Sequence, residues 1–420
     1  MVPMFLAERV TYFGLHDYRR SRDGEDLQAW NLVKAQAPLI ESLVLEGHHS
    51  DLSRHTLETL CLGHFVSGLR HLKHFKSTYL RLPDETLRYL TSLPNLRSLK
   101  IPIKDFRDLA RICDPQSHPS YRPQLCSLQT LHLLCDSLNP GGCSAALKSM
   151  NPTGLCELHI SSVYGNLSPG ELESLFVTLR DHCHPPSFEA VYFSFHDLFD
   201  INIYDPNLEQ SMDHPPSVIP FRVLKPLLSG YSPLKFIVLP LHLLDADDDE
   251  IEEIAARLPM LHRFDLATDP CGQISQSRMT FRSILSFVTH CRYLFELSLY
   301  IDATLSFWPA PEILGHLVHP TLKTLSLGKS TVVREDLGKV HDLLDKLLPN
   351  LDQITWETVK TDSDEDSSLY SDTDEDYSEF GDYDEEEYDY SSGDYEEDDF
   401  EEHVDFDGEL EEDDDYSDSD

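Results

Sequence analysis

Residues 93–101 read LPNLRSLKI, and the same beat returns as LQTLHL at 128–133, LCELHI at 155–160 and LKTLSL at 322–327. Each six-residue core is apolar at positions one, four and six. Positions three to six alternate, which is the period of a strand with one face buried. Working outward, further copies start at Ile40 (IESLVL), Phe188 (FEAVYF), Leu234 (LKFIVL), Leu261 (LHRFDL), Leu294 (LFELSL) and Leu351 (LDQITW). A weaker copy starts at Val10 (VTYFGL). Another is read from Leu69 (LRHLKH), with His74 in an apolar place. The starts lie 27–33 residues apart except for one gap of 46. That gap contains Leu198 to Pro220 and reads as a surface insertion near 196–220.

Between the strands the apolar spacing changes to three and four. Leu172, Leu175, Phe176 and Leu179 form such a stripe, as do Ile251, Ile254 and Leu258, and Ile284, Leu285 and Val288. Leu57, Leu60, Cys61 and Phe65, and Leu343, Leu344 and Leu347, follow the same rule. These spacings place one apolar face on a helix. Prolines at 38, 94, 152, 186, 233, 259, 320 and 349 each stand one to three residues before a core. A proline cannot continue a helix interior and favours an extended predecessor, so each marks the change from helix to strand. One strand plus one helix cannot bury its own apolar face, so neighbouring units must stack. The expectation is an α/β leucine-rich-repeat solenoid of about twelve units over 1–360. Its curved parallel sheet should line the concave face, with helices on the convex face.

The 420 residues carry a net charge of -42, and the charge is not spread evenly. Residues 361–420 hold 32 Asp and Glu and no Lys or Arg, which leaves a net of -10 for the first 360. High charge of one sign with few aliphatic residues predicts a disordered acidic tail over 361–420. Tyr377, Phe380, Tyr388 and Phe400 interleave with the carboxylates there and are candidates to pack on a basic protein such as a histone. Ser363, Ser371, Thr373, Ser391 and Ser417 each have an acid three residues on, the pattern of a casein kinase 2 type site.

No apolar run approaches the ~20 residues of a membrane span. The start of the chain does not read as a secretory signal. Nine cysteines without a CxxC pair suit reduced thiols, and a cytoplasmic or nuclear location is expected. Cys113, Cys126, Cys135 and Cys143 read as small apolar fillers. The acidic balance argues against direct nucleic-acid binding. GxxxxGK[ST], GxSxG and HExxH do not occur. Asp181, His182, Cys183 and His184 lack a second ligand pair at metal spacing. The reading is therefore not an enzyme, without metal or cofactor. The candidates for contact with a protein partner are outward-facing strand residues: Lys100, His132, His159, Tyr192, Arg263, Asp265, Glu296 and Tyr300. The stretch from Phe199 to His214 is a second candidate.

FLAERVTYFGL at 5–15, LPNLRSLKI at 93–101 and the lack of an asparagine after the core resemble the repeat region of fungal F-box/leucine-rich-repeat proteins. In that family the repeats recognise a substrate, and an F-box docks on the Skp-type adaptor of a cullin ubiquitin ligase. The resemblance implies a substrate-recognition role of that kind. The F-box itself is expected to be missing from this chain, because LPDETLRYL at 82–90 is followed by a repeat strand and reads as a repeat helix. Acidic leucine-rich nuclear phosphoproteins and Ran GTPase-activating proteins share the outline of repeats plus acidic tail, but carry a regular asparagine. The alternative function is a nuclear histone-binding, chaperone-like protein acting through its tail.

Overall fold

The computed structural model describes residues 10–15, 39–46, 65–78, 82–114, 125–137, 140–164, 168–183, 185–195, 217–231, 233–239, 242–266, 277–303, 317–328, 330 and 337–356. Contacts divide the chain into Met1–Thr361 and Asp362–Asp420. All of the second unit, with the tail rings and phosphoacceptors named above, lies outside the described residues, as do Leu57 to Cys61, His184 and Phe199 to His214.

Fourteen strands occur among the described residues: β1 (Tyr12–Leu15), β2 (Ser42–Leu45), β3 (His74–Ser77), β4 (Ser98–Ile103), β5 (Thr130–Ser137), β6 (Glu157–Tyr164), β7 (Ala190–Phe195), β8 (Ser217–Pro220), β9 (Phe236–Leu239), β10 (His242–Asp245), β11 (Arg263–Leu266), β12 (Glu296–Ser298), β13 (Thr324–Gly328) and β14 (Gln353–Trp356). Twelve of them form one sheet in chain order, skipping only β8 and β10. Every pairing in it is parallel, from β1 with β2 to β13 with β14. All twelve expected strands are therefore present.

The helices lie between them. They are α1 (Asp84–Ser92), α2 (Phe106–Cys113), α3 (Pro140–Met150), α4 (Pro169–His182), α5 (Lys225–Leu228), α6 (Asp248–Arg257), α7 (Phe281–His290) and α8 (Leu337–Leu347). α1 is the LPDETLRYL segment, and β4 follows it as a repeat strand should. Local chemistry sets several helix ends. Ser168 and Glu171 form a capping box at the start of α4, and Asp247 and Glu250 form another at α6. Asn151, with φ of 43°, closes α3 in the left-handed conformation that asparagine tolerates.

Stacking is carried by two repeating devices. Position-four residues from Leu43 through Leu99, Leu131, Leu158 and Phe264 to Leu325 are at most 1% exposed. Each contributes roughly 1.5–3 kcal/mol relative to an exposed side chain. Phe13 and Ile354, on the outermost strands, are only partly buried because each has a neighbour on one side alone. The second device is a polar spine. Each position-two residue donates its N–H to the carbonyl of the position-two residue one unit earlier, at 2.7–2.9 Å, from Glu41 on Thr11 to Asp352 on Lys323. The next N–H shares the same carbonyl, as with Ser42 on Thr11 at 2.9 Å. Where the chain leaves a helix it crowds the previous unit. A Cβ at Gly154 would lie 2.2 Å from the Cys126 carbonyl oxygen, so only glycine fits there.

Three expectations need correction. The third core starts at Leu72, not Leu69: Leu43 pairs with Phe75 and Leu45 with Ser77. His74 is therefore outward-facing, and buried Ser77 takes the last apolar place. Burial of Phe75 decided the frame, since shifting a strand's phase would expose it. The 46-residue gap is not surface insertion to its end. Residues 217–220 form β8 beside β10, and Ile219 is fully buried. Finally, Cys126 is exposed, whereas Cys113, Cys135 and Cys143 are buried fillers. Among the described residues no helix is long and apolar enough to cross a membrane.

Candidate protein-binding face

Strand alternation sends positions four and six into the core, so positions three and five face away from the helices. Parallel, in-register pairing lines them up in rows. Position five runs Lys76, Lys100, His132, His159, Tyr192, Val238, Asp265 and Ser298 across β3 to β12. Five of the eight residues expected on this face, Lys100, His132, His159, Tyr192 and Asp265, thus share one row. Arg263 and Glu296 are partners in the position-three row. Tyr300 does not belong with them. It lies past the end of β12 and is buried, as are Leu299 and Ile301 on either side of it.

The central feature is a continuous track of rings. His132 and His159 have centroids 5.3 Å apart, and His159 stacks on Tyr192 at 4.2 Å with planes 16° apart. Tyr192 reaches Phe236 at 5.7 Å. Phe236 meets His262 edge-on at 5.6 Å and Phe295 at 6.5 Å. Tyr293 closes the track 6.0 Å from His262. The rings drift from position five on β5 to β7, to position three on β9, and then to position two just ahead of β11 and β12, with Tyr293 one residue before its core. Phe295 and Tyr293 are 38% and 54% exposed.

Phe236, His262, Tyr293 and Phe295 were not singled out from the sequence. Of these only Phe236 holds an outward core position; His262 and Phe295 stand at position two and Tyr293 just before its core, so the period of two gave no reason to place them on this face. Only alignment of all twelve cores in register would have placed the rings on one diagonal.

Polar contacts hold the track in place. His132 Nε2 and Ser161 Oγ are 2.9 Å apart, and Ser161 Oγ is 2.6 Å from Ser194 Oγ, linking β5, β6 and β7. Glu157 Oε2 lies 3.4 Å from His159 Nε2. Burial nevertheless holds the His159 imidazole below its ordinary value, against the pull of Glu157 and with the push of Lys100. His262 is lowered by burial and by Lys235. Burial raises the Tyr192 phenol to about 12. Burial thus disfavours the charged forms of His159, His262 and Tyr192, as suits an apolar contact surface.

Charge brackets them. On the β3–β4 side Lys76 pairs with Glu46, while Lys100 is half-buried next to it; burial first, then Lys76, lowers the Lys100 ammonium. On the β11–β12 side Arg263 bridges Asp265 at 2.6 Å and Glu296 at 3.1 Å, one cation between two carboxylates. Burial and the Asp265 charge raise Glu296 against the pull of Arg263. Among the described residues no group of three or more His, Cys, Asp or Glu is placed to hold a metal.

No family model matches this chain. No curated protein matches it. Among solved structures the chain is similar to a plant peptide hormone receptor, RGFR1, in complex with RGF2, at 14% sequence identity and a TM-score of 0.29. The match covers 70% of this chain and 46% of that one, so the chain spans less than half of the receptor chain's length. The repeat architecture rests on the strand ladder itself, and none of these comparisons bears on an F-box or a ubiquitin ligase.

Proposed function

We propose that the chain is a non-catalytic protein-interaction scaffold that takes a partner across the outward face of its sheet. One observation carries this reading: seven rings, from His132 to Tyr293, make an unbroken track on a solvent-facing surface. Aromatic side chains are enriched among residues that anchor protein contacts. A row of half-buried rings costs solubility that a purely structural surface has no reason to accept. Proximity labelling around the full chain in cells tests it. Proteins recovered with the native chain should be lost with Tyr192→Ala or Phe295→Ala and kept with Asp342→Ala, an exposed position on α8. Equal recovery from all four chains would refute the reading.

At a finer level, the repeats are proposed to present substrate to a Skp-type adaptor and its cullin ligase, on the strength of the family resemblance. A second reading assigns the acidic, ring-bearing residues 361–420 to basic proteins such as core histones. Affinity capture separates the two. Adaptor and cullin support the first. Histones that disappear when 361–420 are deleted support the second.

A further inference from the structure

The face is electrically polar along its length. At one end Lys100 follows Lys76 in the same row; Glu46 forms its ion pair with Lys76, and its charge acts on Lys100 less than that of Lys76 does. Among the described residues no carboxylate lies within ion-pair distance of the Lys100 ammonium. Half-burial strips the ammonium of part of its hydration, which is the condition under which an incoming anion binds best. At the other end Arg263, Asp265 and Glu296 sum to one negative charge. Between the ends lie Tyr192 and Phe236.

We propose that this face binds an extended polypeptide segment in one direction only, with an anionic side chain, carboxylate or phosphate, on Lys100, an aromatic or aliphatic side chain on Tyr192, and a basic side chain at the Asp265–Glu296 end. The proposal rests on the protein-binding reading above and specifies its partner. Geometry supplies the spacing. Lys100 and Tyr192 are three strands apart and Lys100 and Asp265 five, which at about 4.8 Å per strand is about 14 Å and 24 Å. An extended chain advances about 3.3–3.6 Å per residue, so the apolar residue falls about four places after the acid and the base about seven.

The probe is an array of nine-residue peptides with mixed composition except at three places. The first is Asp, phosphoserine, Ser or Lys; the fifth is Phe or Ser; the eighth is Lys, Ser or Asp. Labelled full-length protein is applied. The Asp-first and phosphoserine-first sets with Phe fifth and Lys eighth should bind about fivefold better than their Ser-first counterparts, the scale of one partly shielded ion pair. Comparing those two sets tells a carboxylate partner from a phosphorylated one. The reversed set, Lys first and Asp eighth, should bind worst. Lys100→Gln should erase the preference for an acid in first place while leaving dependence on Phe, and Lys100→Arg should keep both.

The two levels fail differently. If Phe-dependent binding shows no acid preference, or the preference survives Lys100→Gln, the anionic end is overturned and the protein-binding face stands. If no set binds, or binding ignores Tyr192→Ala in a chain with native circular dichroism, the binding face itself falls.

Discussion

Asp248 should hold two repeats together, and removing its carboxylate should cost far more than removing the one beside it. Asp248 lies in the first turn of α6 and reaches across to α7 of the next unit. One carboxylate oxygen accepts the Thr280 backbone N–H at 2.9 Å and the Ser283 hydroxyl at 2.6 Å; the other accepts the Thr280 hydroxyl at 2.7 Å. Thr280 is 7% exposed and Ser283 fully buried, so their donors have little water to fall back on. A hydrogen bond to a charged group is worth about 1.5–3 kcal/mol net. Simple addition overshoots, because the Thr280 hydroxyl keeps its own N-cap bond from Arg282 and water enters the vacated space beside half-buried Asp248. Asp248→Ala should therefore lose about 3 kcal/mol, and Asp248→Asn, which keeps one carbonyl oxygen, about 1 kcal/mol.

Urea denaturation of the full chain followed by circular dichroism reads the total. Hydrogen exchange reads the place, since repeat stability is close to a sum of units and neighbour interfaces. Protection should fall first in α6 and α7. Asp249→Ala is the control: that side chain is 78% exposed and its pair with Arg282 contributes at most about 1 kcal/mol. A loss under about 1 kcal/mol at Asp248→Ala, or equal losses at both positions, would show that the carboxylate does not couple the two units.

His319 should make the last repeats acid-sensitive. Its Nδ1 accepts the Leu322 N–H at 3.1 Å and its Nε2 donates to the Cys291 carbonyl at 2.8 Å, so both nitrogens are used and the ring is neutral. Burial lowers its affinity for a proton below the ordinary value of 6.5. The unfolded chain therefore takes up the proton first. This site's contribution is complete above about pH 6.5 and is lost as the pH falls through the folded value. Urea midpoints at pH 8 and pH 5 should differ less in His319→Gln than in the native chain; an unchanged difference would rule out His319 as the sensor. For the thiols, brief alkylation of the native chain at pH 8 followed by peptide mapping should mark exposed Cys126 first among the described cysteines. Buried Cys113, Cys183 and Cys291, whose thiols burial raises to about 12, should remain unmarked until denaturant is added.

The strand ladder was legible in the chain because LxxLxL encodes a local rule. Which residues turn inward depends on period two, and the period repeats with every unit. Eleven of the twelve frames followed from that alone. The frame at Leu72 did not, because Ser77 occupies a place where an apolar residue was expected and only the burial of Phe75 resolved the phase. The row Lys100, His132, His159, Tyr192 could be named residue by residue, since each is the fifth member of its core. Its extension to Phe236, His262, Phe295 and Tyr293 arises when separate strands are set side by side, and ring contacts of 4–7 Å belong to that juxtaposition rather than to any one core. Tyr300, the strand β8 beside β10, the Asp248 bridge and buried His319 have the same origin. Each depends on what the neighbouring unit presents 23–35 residues away. Local alternation determined which face of each strand meets water; stacking alone determined which side chains on that face meet one another.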